Sequence, residues 1–347
     1  MEQISLSGFL SGFASAYFAL LAYLLFRGTF ASPPTRLQKV LGVLFVQWAL
    51  FNLKDFLLTL HDYSDPTALD IITLIDGLSL IGYTCLLYEL IHPCWTTWCK
   101  VCWMLVAYMP FFIAYGIVPG STVITLYIIF LFVAGVSVFL LWLRQARTYT
   151  RYIHECFSNI DQIGISWLRI VAWFFVSCQL LWVVITLVRN PLTDCLYYVL
   201  SIVLWQVTLE HVIHHQPVAI EHSEPKEASS VREYAFAQTL PSVIEAEQLY
   251  LNPTLSVKEL AQHIGTNRTY LSDYFVHVLH TTFYDYINSL RIEQKSIPLL
   301  TEHPEYTIDR IAAESGFQSV STFRRAFHKQ KGVTPSLYRK QDRTIHN

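Results

Sequence analysis

The chain has 347 residues, 53% of them hydrophobic, 15% aromatic and only 14% charged, with a formal net charge of -2. Soluble domains average about 25% charged residues, so this composition excludes an ordinary water-soluble protein over much of the length. The net charge averages two unlike parts, because charges are scarce from Leu6 to Leu209 whereas Glu221 onward reads like a soluble sequence.

In chain order, the first apolar run lacks a basic leading region and a small-residue cleavage site, so it reads as a first span and not as a removable signal peptide. A span needs about 20 mostly apolar residues. Seven stretches qualify: residues 4–26, 37–60, 68–91, 101–118, 122–143, 165–188 and 192–213. Turn and charge signals separate them, among them Ser32-Pro33-Pro34, Asp62-Tyr63-Ser64-Asp65-Pro66, Pro119-Gly120 and Arg189-Asn190-Pro191. Trp and Tyr gather near the span ends, as interfacial anchors do. Arg27, Arg36 and Lys39 flank the first connection, Lys100 the third, and Arg144, Arg147 and Arg151 the fifth. The second and fourth connections carry no Lys or Arg, and the sixth carries only Arg189. The positive-inside rule then makes the odd connections cytoplasmic. Seven spans would leave the N-terminus outside and the C-terminal part in the cytoplasm.

Ionisable residues inside spans are costly and point to function by default. Lys54, Asp55, Asp70 and Asp76 fall in the outer halves of the second and third spans, with Lys54 and Asp76 at similar depth. They read either as a pocket open to the exterior, a candidate sensing site, or as an ion pair that packs two helices, and the ion pair is the commoner arrangement. Glu89, Arg169 and Glu210 lie nearer the cytoplasmic side, where long side chains snorkel. The seven cysteines (Cys85, Cys94, Cys99, Cys102, Cys156, Cys178 and Cys195) all lie in the apolar part. Their odd number does not resemble a secreted disulfide framework. Cys94, Cys99 and Cys102 match no standard zinc spacing and read as ordinary thiols. Glu210, His211, His214 and His215 share helix faces and read as a metal or pH site or, more commonly, as a polar interfacial collar. No metal and no cofactor is expected.

Residues 216–233 are rich in Pro, Ser, Glu and Lys without apolar period, and read as a linker. Beyond it, Ser256-Val257-Lys258-Glu259 is a capping box ahead of Leu260, Ala261 and Ile264. Gly265 permits a left-handed turn, and Asn267 caps a second helix through Tyr270, Leu271, Tyr274, Phe275 and Leu279. Helix, glycine turn and helix make a helix-turn-helix layout. The layout recurs about 50 residues later, with Ile308, Ile311 and Ala312 in one helix, Ser315-Gly316-Phe317 as the turn, and Val320–Lys329 as the second helix. Gly332 can end that helix, and Thr334-Pro335 starts another.

Residues 250–340 resemble the DNA-binding domain of the AraC/XylS family. The resemblance rests on Leu260-Ala261, Tyr270-Leu271-Ser272, Phe283 to Asn288, Leu290-Arg291-Ile292, Ile311-Ala312, Gly316-Phe317, Phe323 to Phe327 and Gly332 to Arg339. It implies two helix-turn-helix units joined by a long helix, here about residues 282–300, and a transcription factor reading successive major-groove segments. By that resemblance the first recognition helix presents Asn267, Arg268, Thr269, Ser272 and Asp273 to DNA, and the second presents Ser319, Val320, Ser321, Arg324, Arg325 and Lys329. Arginine can donate two hydrogen bonds to a guanine edge and serine can reach any base. Arg268 and Lys329 are better placed on phosphates. Asp273 stands where the family usually has arginine. Pro298 lies near the end of the linking helix and would free the carbonyl of Gln294, kinking it.

The expected fold is therefore all-α: a seven-helix transmembrane bundle over residues 1–215, the linker 216–233, and a soluble all-α domain with two helix-turn-helix motifs over 234–347. The expected protein is a DNA-binding transcription regulator in a bacterial cytoplasmic membrane. Its expected partners are double-stranded DNA and membrane lipid, with a homodimeric copy, a small-molecule signal and RNA polymerase as further candidates. A transporter or receptor whose soluble domain is only a tether is the alternative, although no internal repeat or broken helix supports it. No HExxH, GxSxG or phosphate-cradling glycine loop points to an enzyme.

Overall fold

The computed structural model describes residues 6–59, 66–161, 163–164, 167–188, 191–215, 218 and 234–346. Among these the secondary structure is helical, with one isolated antiparallel bridge between Phe157 and Ser256. The expected linker lies, but for Val218, outside the described residues, as do Asp62, Asp65, Arg189 and Asn190.

The chain divides into two compact units, Met1–Arg147 with Ile165–Ala219, and Thr148–Gly164 with Ile220–Asn347. The second unit thus includes a segment from the fifth connection of the apolar half, which a contiguous reading of the sequence keeps with the membrane domain.

The first unit contains α1 (Leu6–Arg27), α2 (Arg36–Thr59), α3 (Pro66–Asp76), α4 (Ser79–Glu89), α5 (Trp98–Ile117), most of α6 (Ser121–Cys156), α7 (Leu168–Val188) and α8 (Pro191–His214). Helices α1 and α2 approach closely because the inward stripe of α1 is small: Gly8, Ser11, Ala14 and Ser15 are buried there. The Ser15 hydroxyl donates to the Ala49 carbonyl at 2.9 Å, a short side chain bridging two backbones as membrane helices often do. Gly77 separates α3 from α4, and a side chain there would collide with Tyr127 and Leu131 of α6. The Tyr127 hydroxyl donates to the Leu74 carbonyl at 2.8 Å, at the end of α3. An aromatic cluster of Phe45, Trp48, Tyr83, Phe175 and Trp205 fills the centre, with Tyr83 stacked on Trp205 at 5.6 Å. Large apolar side chains such as Phe9, Phe13, Trp103, Ile113 and Val133 face outward instead. Such a surface is costly in water and compatible with hydrocarbon.

Six helices among the described residues are long and apolar enough to cross a membrane: Leu6–Arg27, Arg36–Leu58, Thr67–Glu89, Trp98–Ile117, Ser121–Cys156 and Leu192–His214. This corrects the expected seven. Over α7 the apolar stretch that qualifies among the described residues is Phe175–Val184. Glu89 also departs from expectation. It does not snorkel but is buried, with Oε1 3.0 Å from Nε of Arg36, and it accepts from the backbone amides of Cys94 at 2.9 Å and Thr96 at 2.8 Å.

In the second unit follow α9 (Leu240–Ala246), α10 (Val257–His263), α11 (Arg268–Asp273), α12 (Phe283–Leu290), α13 (Ile297–Glu302), α14 (Ile308–Glu314), α15 (Val320–Lys331) and α16 (Pro335–His346). One core gathers Leu240, Ile244, Leu260, Leu271, Phe275, Phe283 and Ile287 around the first helix-turn-helix. A second gathers Ile292, Leu300, Ile311, Phe317, Phe323 and Phe327 around the other. The linking helix runs through α12 and α13, and widens to π geometry over Arg291–Ser296, immediately before Pro298. A wider turn accommodates a residue that cannot donate, and the Ser296 hydroxyl donates to the Arg291 carbonyl at 3.1 Å within it.

Candidate nucleic-acid interface

Each helix-turn-helix is built by local chemistry. Before α10 the Ser256 hydroxyl accepts from the Glu259 amide at 3.3 Å, and Glu259 accepts from the Ser256 amide at 2.8 Å, closing the capping box. Gly265 has φ +70° and turns the chain out of α10. Asn267 then caps α11 by accepting from the Tyr270 amide at 2.9 Å. In the second unit Thr307 caps α14, and Ser319 caps α15 by accepting from the Thr322 amide at 3.2 Å. Gly332, at φ +74°, closes α15, its amide donating to the His328 carbonyl at 2.9 Å. Helix α11 is shorter than the sequence pattern suggests, because Tyr274–Val278 takes up π geometry.

The turn of the second motif requires glycine for two reasons. Gly316 has φ +84°, and a Cβ there would lie 2.6 Å from the Leu251 carbonyl oxygen. This close approach brings the second motif against the backbone that precedes the first. Beside it lies Arg291, 1% exposed. Its guanidinium donates to the carbonyls of Tyr250 at 2.6 Å, Asn252 at 2.7 Å and Ser158 at 3.1 Å, to the Ser158 hydroxyl at 3.2 Å and to the Asn288 side chain at 3.0 Å. The ring of Phe317 lies 5.5 Å from it. Burial pushes Arg291 down to about 10, so it remains a cation at neutral pH, and these acceptors compensate its desolvation. Ser158 reaches this position because its own amide and hydroxyl donate to the Leu255 carbonyl at 3.1 Å and 2.7 Å.

The residues expected to face DNA divide by exposure. Asn267, Thr269, Ser321, Arg324, Arg325 and Lys329 are exposed, and Arg268, Ser272, Asp273, Ser319 and Val320 are half-buried. Several already have partners within this unit. Lys329 pairs with Asp285 at 2.7 Å. Nη1 of Arg268 donates to the Tyr152 hydroxyl at 2.8 Å and lies 3.8 Å from Sγ of Cys156. Nη2 of Arg325 lies 3.7 Å from Asp161, which also accepts a hydrogen bond from the Thr322 hydroxyl. Tyr152, Cys156, Ser158 and Asp161 carried no signal in the sequence beyond the nearby basic residues, because they lie about a hundred residues or more from the groups they touch.

In the first unit, Lys54 lies 2.9 Å from Asp55 and 2.7 Å from Asp76. The Tyr198 hydroxyl donates to Asp55 at 3.2 Å. Asp70 stands apart from this trio and accepts from Tyr115 at 3.1 Å. Tyr198 and Tyr115 were not legible as partners. The candidate histidines are engaged separately: His211 stacks on Trp167 at 4.7 Å, and Nε2 of His215 is 3.0 Å from the Leu90 carbonyl. Among the described residues no three His, Cys, Asp or Glu side chains are grouped to hold a metal.

Two complete helix-turn-helix units in one compact body define a DNA-binding class of domain. Residues 243–341 match the family model described as a helix-turn-helix domain, and this C-terminal region is of the AraC type. Among curated proteins the chain is similar to an HTH-type transcriptional regulator of Staphylococcus aureus (strain COL), 29% identical over 131 residues. That match covers 38% of this chain and 16% of the relative. A regulator of the same description from Staphylococcus aureus (strain MSSA476) matches to the same extent. The melibiose operon regulatory protein of Escherichia coli (strain K12) is 27% identical over 128 residues, 36% of this chain and 40% of the relative. The chain therefore spans well under half the length of these relatives. No solved structure matches it.

Proposed function

We propose that this chain is a membrane-embedded transcription regulator of a bacterium, which reads double-stranded DNA with α11 and α15 in successive major-groove segments. The observation that carries this reading is the pair of complete, capped helix-turn-helix units, with Thr269, Ser321, Arg324 and Arg325 exposed on their recognition helices. Arg324 and Arg325 are suited to guanine edges and Ser321 to any base. Lys329 is suited to a phosphate, for which it would exchange Asp285. The apolar helices support anchoring in a membrane, and with α7 and α8 crossing as a pair the basic connections put the C-terminal unit in the cytoplasm. A second copy of the chain would add avidity at paired sites, and RNA polymerase is the natural partner of a regulator bound beside a promoter.

For Lys54, Asp55 and Asp76 we favour helix packing over a sensing pocket, since Lys54 is already flanked by both carboxylates.

The test is selection from a random duplex pool by the full chain in lipid nanodiscs, at two salt concentrations. The expected result is an enriched motif that survives the higher salt. Arg325→Ala should relax preference at one position, by about 1–3 kcal/mol of discrimination, whereas Lys329→Ala should weaken binding to all sequences alike. A pool left unenriched at both salts would favour the tether alternative.

A further inference from the structure

The segment Thr148–Gly164 belongs to the DNA-binding unit although the sequence places it amid the apolar helices. Its middle is anchored. Cys156 is part of the core around the first helix-turn-helix, Phe157 bridges to Ser256, and Ser158 accepts from the buried Arg291. From that anchor its two flanks reach different recognition helices. Upstream, the Tyr152 hydroxyl accepts from Arg268 at the first turn of α11, with the guanidinium 5.7 Å from the Tyr152 ring. Between them, the ring of His154 lies 5.0 Å from that of Tyr284, the neighbour of the Lys329 partner Asp285. Downstream, the Asp161 carboxylate takes Thr322 and Arg325 on α15.

Building on the DNA-reading function above, we infer that this segment is an internal competitor for DNA, its Tyr152 hydroxyl and Asp161 carboxylate occupying the guanidinium groups that phosphate and base oxygens would otherwise take. The chemistry matches group for group. Each acceptor oxygen sits on an arginine that the DNA-bound state needs, one on each recognition helix. An anionic carboxylate beside Arg325 also repels an approaching phosphate. Binding of DNA then requires Tyr152 and Asp161 to give up their partners, while the anchor at Phe157 and Ser158 keeps the segment in place. The upstream part of the segment, as far as Cys156, is the end of α6.

The experiment compares the full chain in lipid nanodiscs with Asp161→Asn, Tyr152→Phe and the double variant, using a random-sequence duplex pool as the probe. Each change removes an acceptor or its charge and leaves Cys156, Phe157 and Ser158 untouched, and helical circular dichroism verifies the fold. The double variant is expected to bind about tenfold more tightly, with a salt dependence steeper by about one released counterion because the Asp161 charge no longer offsets the basic face. Adding Arg325→Ala to Asp161→Asn should abolish that variant's gain. Affinity and salt slope equal to those of the unaltered chain, in correctly folded variants, would overturn the inference and leave the DNA-reading function standing. Failure of every chain, altered or not, to bind the pool at low salt would overturn both.

Discussion

Gly316 and Gly265 occupy equivalent turns of the two helix-turn-helix units, and both have positive φ, yet they tolerate a side chain differently. At Gly265 an added Cβ meets nothing within 4 Å, whereas at Gly316 it would strike the Leu251 backbone. Gly265→Ala therefore costs only left-handed strain, about 1–2 kcal/mol, and Gly316→Ala costs that strain plus displacement of a backbone. We expect Gly316→Ala to lower the denaturation midpoint clearly more than Gly265→Ala, and equal shifts would contradict the close packing of the two motifs. Both glycines were legible in the sequence as turn residues. That one of them also sits against a distant backbone was not, since the distance from residue 251 to 316 closes only on folding. Arg291 shows the same limit. The resemblance singled it out within Leu290-Arg291-Ile292 of the linking helix, but its burial and its carbonyl acceptors at Tyr250, Asn252 and Ser158 are properties of the fold.

At the scale of elements, the helix starts at Ser256 and Asn267 and the turns at Gly265, Gly316 and Gly332 were readable in the sequence. Ser256, Asn267, Thr282, Thr307 and Ser319 all cap as short polar residues with extended backbone do, each worth about 1 kcal/mol. The π turns were not readable. They occur where Pro298 and the crowded aromatic core oppose regular geometry, and such turns depend on packing. The element of greatest consequence is the segment Thr148–Gly164, which supplies Cys156, Phe157 and Ser158 to the DNA-binding unit. A fragment beginning at Glu233 would lack these groups, leaving Arg291 without two of its acceptors and a hole in the first core. We expect that fragment to melt well below one in which residues 148–164 are fused ahead of it, read by thermal circular dichroism. Identical melting temperatures would show that the segment adds no stability. A buried cation stripped of partners commonly costs about 3 kcal/mol or more, enough to unfold a marginal domain.

For the whole molecule, the question is which side of the membrane each end occupies. The positive-inside rule assigns Arg144, Arg147 and Arg151 to the cytoplasmic side, the side on which the proposed DNA binding needs the C-terminal unit. A C-terminal fusion to a reporter active only in the cytoplasm should therefore be active, and a reporter active only outside should be silent. A fusion at the N-terminus then distinguishes an even from an odd number of crossings. The opposite C-terminal pattern would remove the C-terminal unit from DNA altogether.

Composition, hydropathy and short-range motifs determined that the chain has an apolar helical half and a helix-turn-helix half, because spans, caps and glycine turns are set by residues within a few positions of one another. Tertiary structure alone decided that Glu89 is buried and paired with Arg36. It also decided that Asp70 stands apart from Lys54, and that a segment following the fifth apolar stretch enters the DNA-binding unit to meet Arg268, Arg291 and Arg325. Those contacts join residues up to 161 positions apart in sequence, and no local pattern encodes a partner that only chain folding brings within hydrogen-bonding distance.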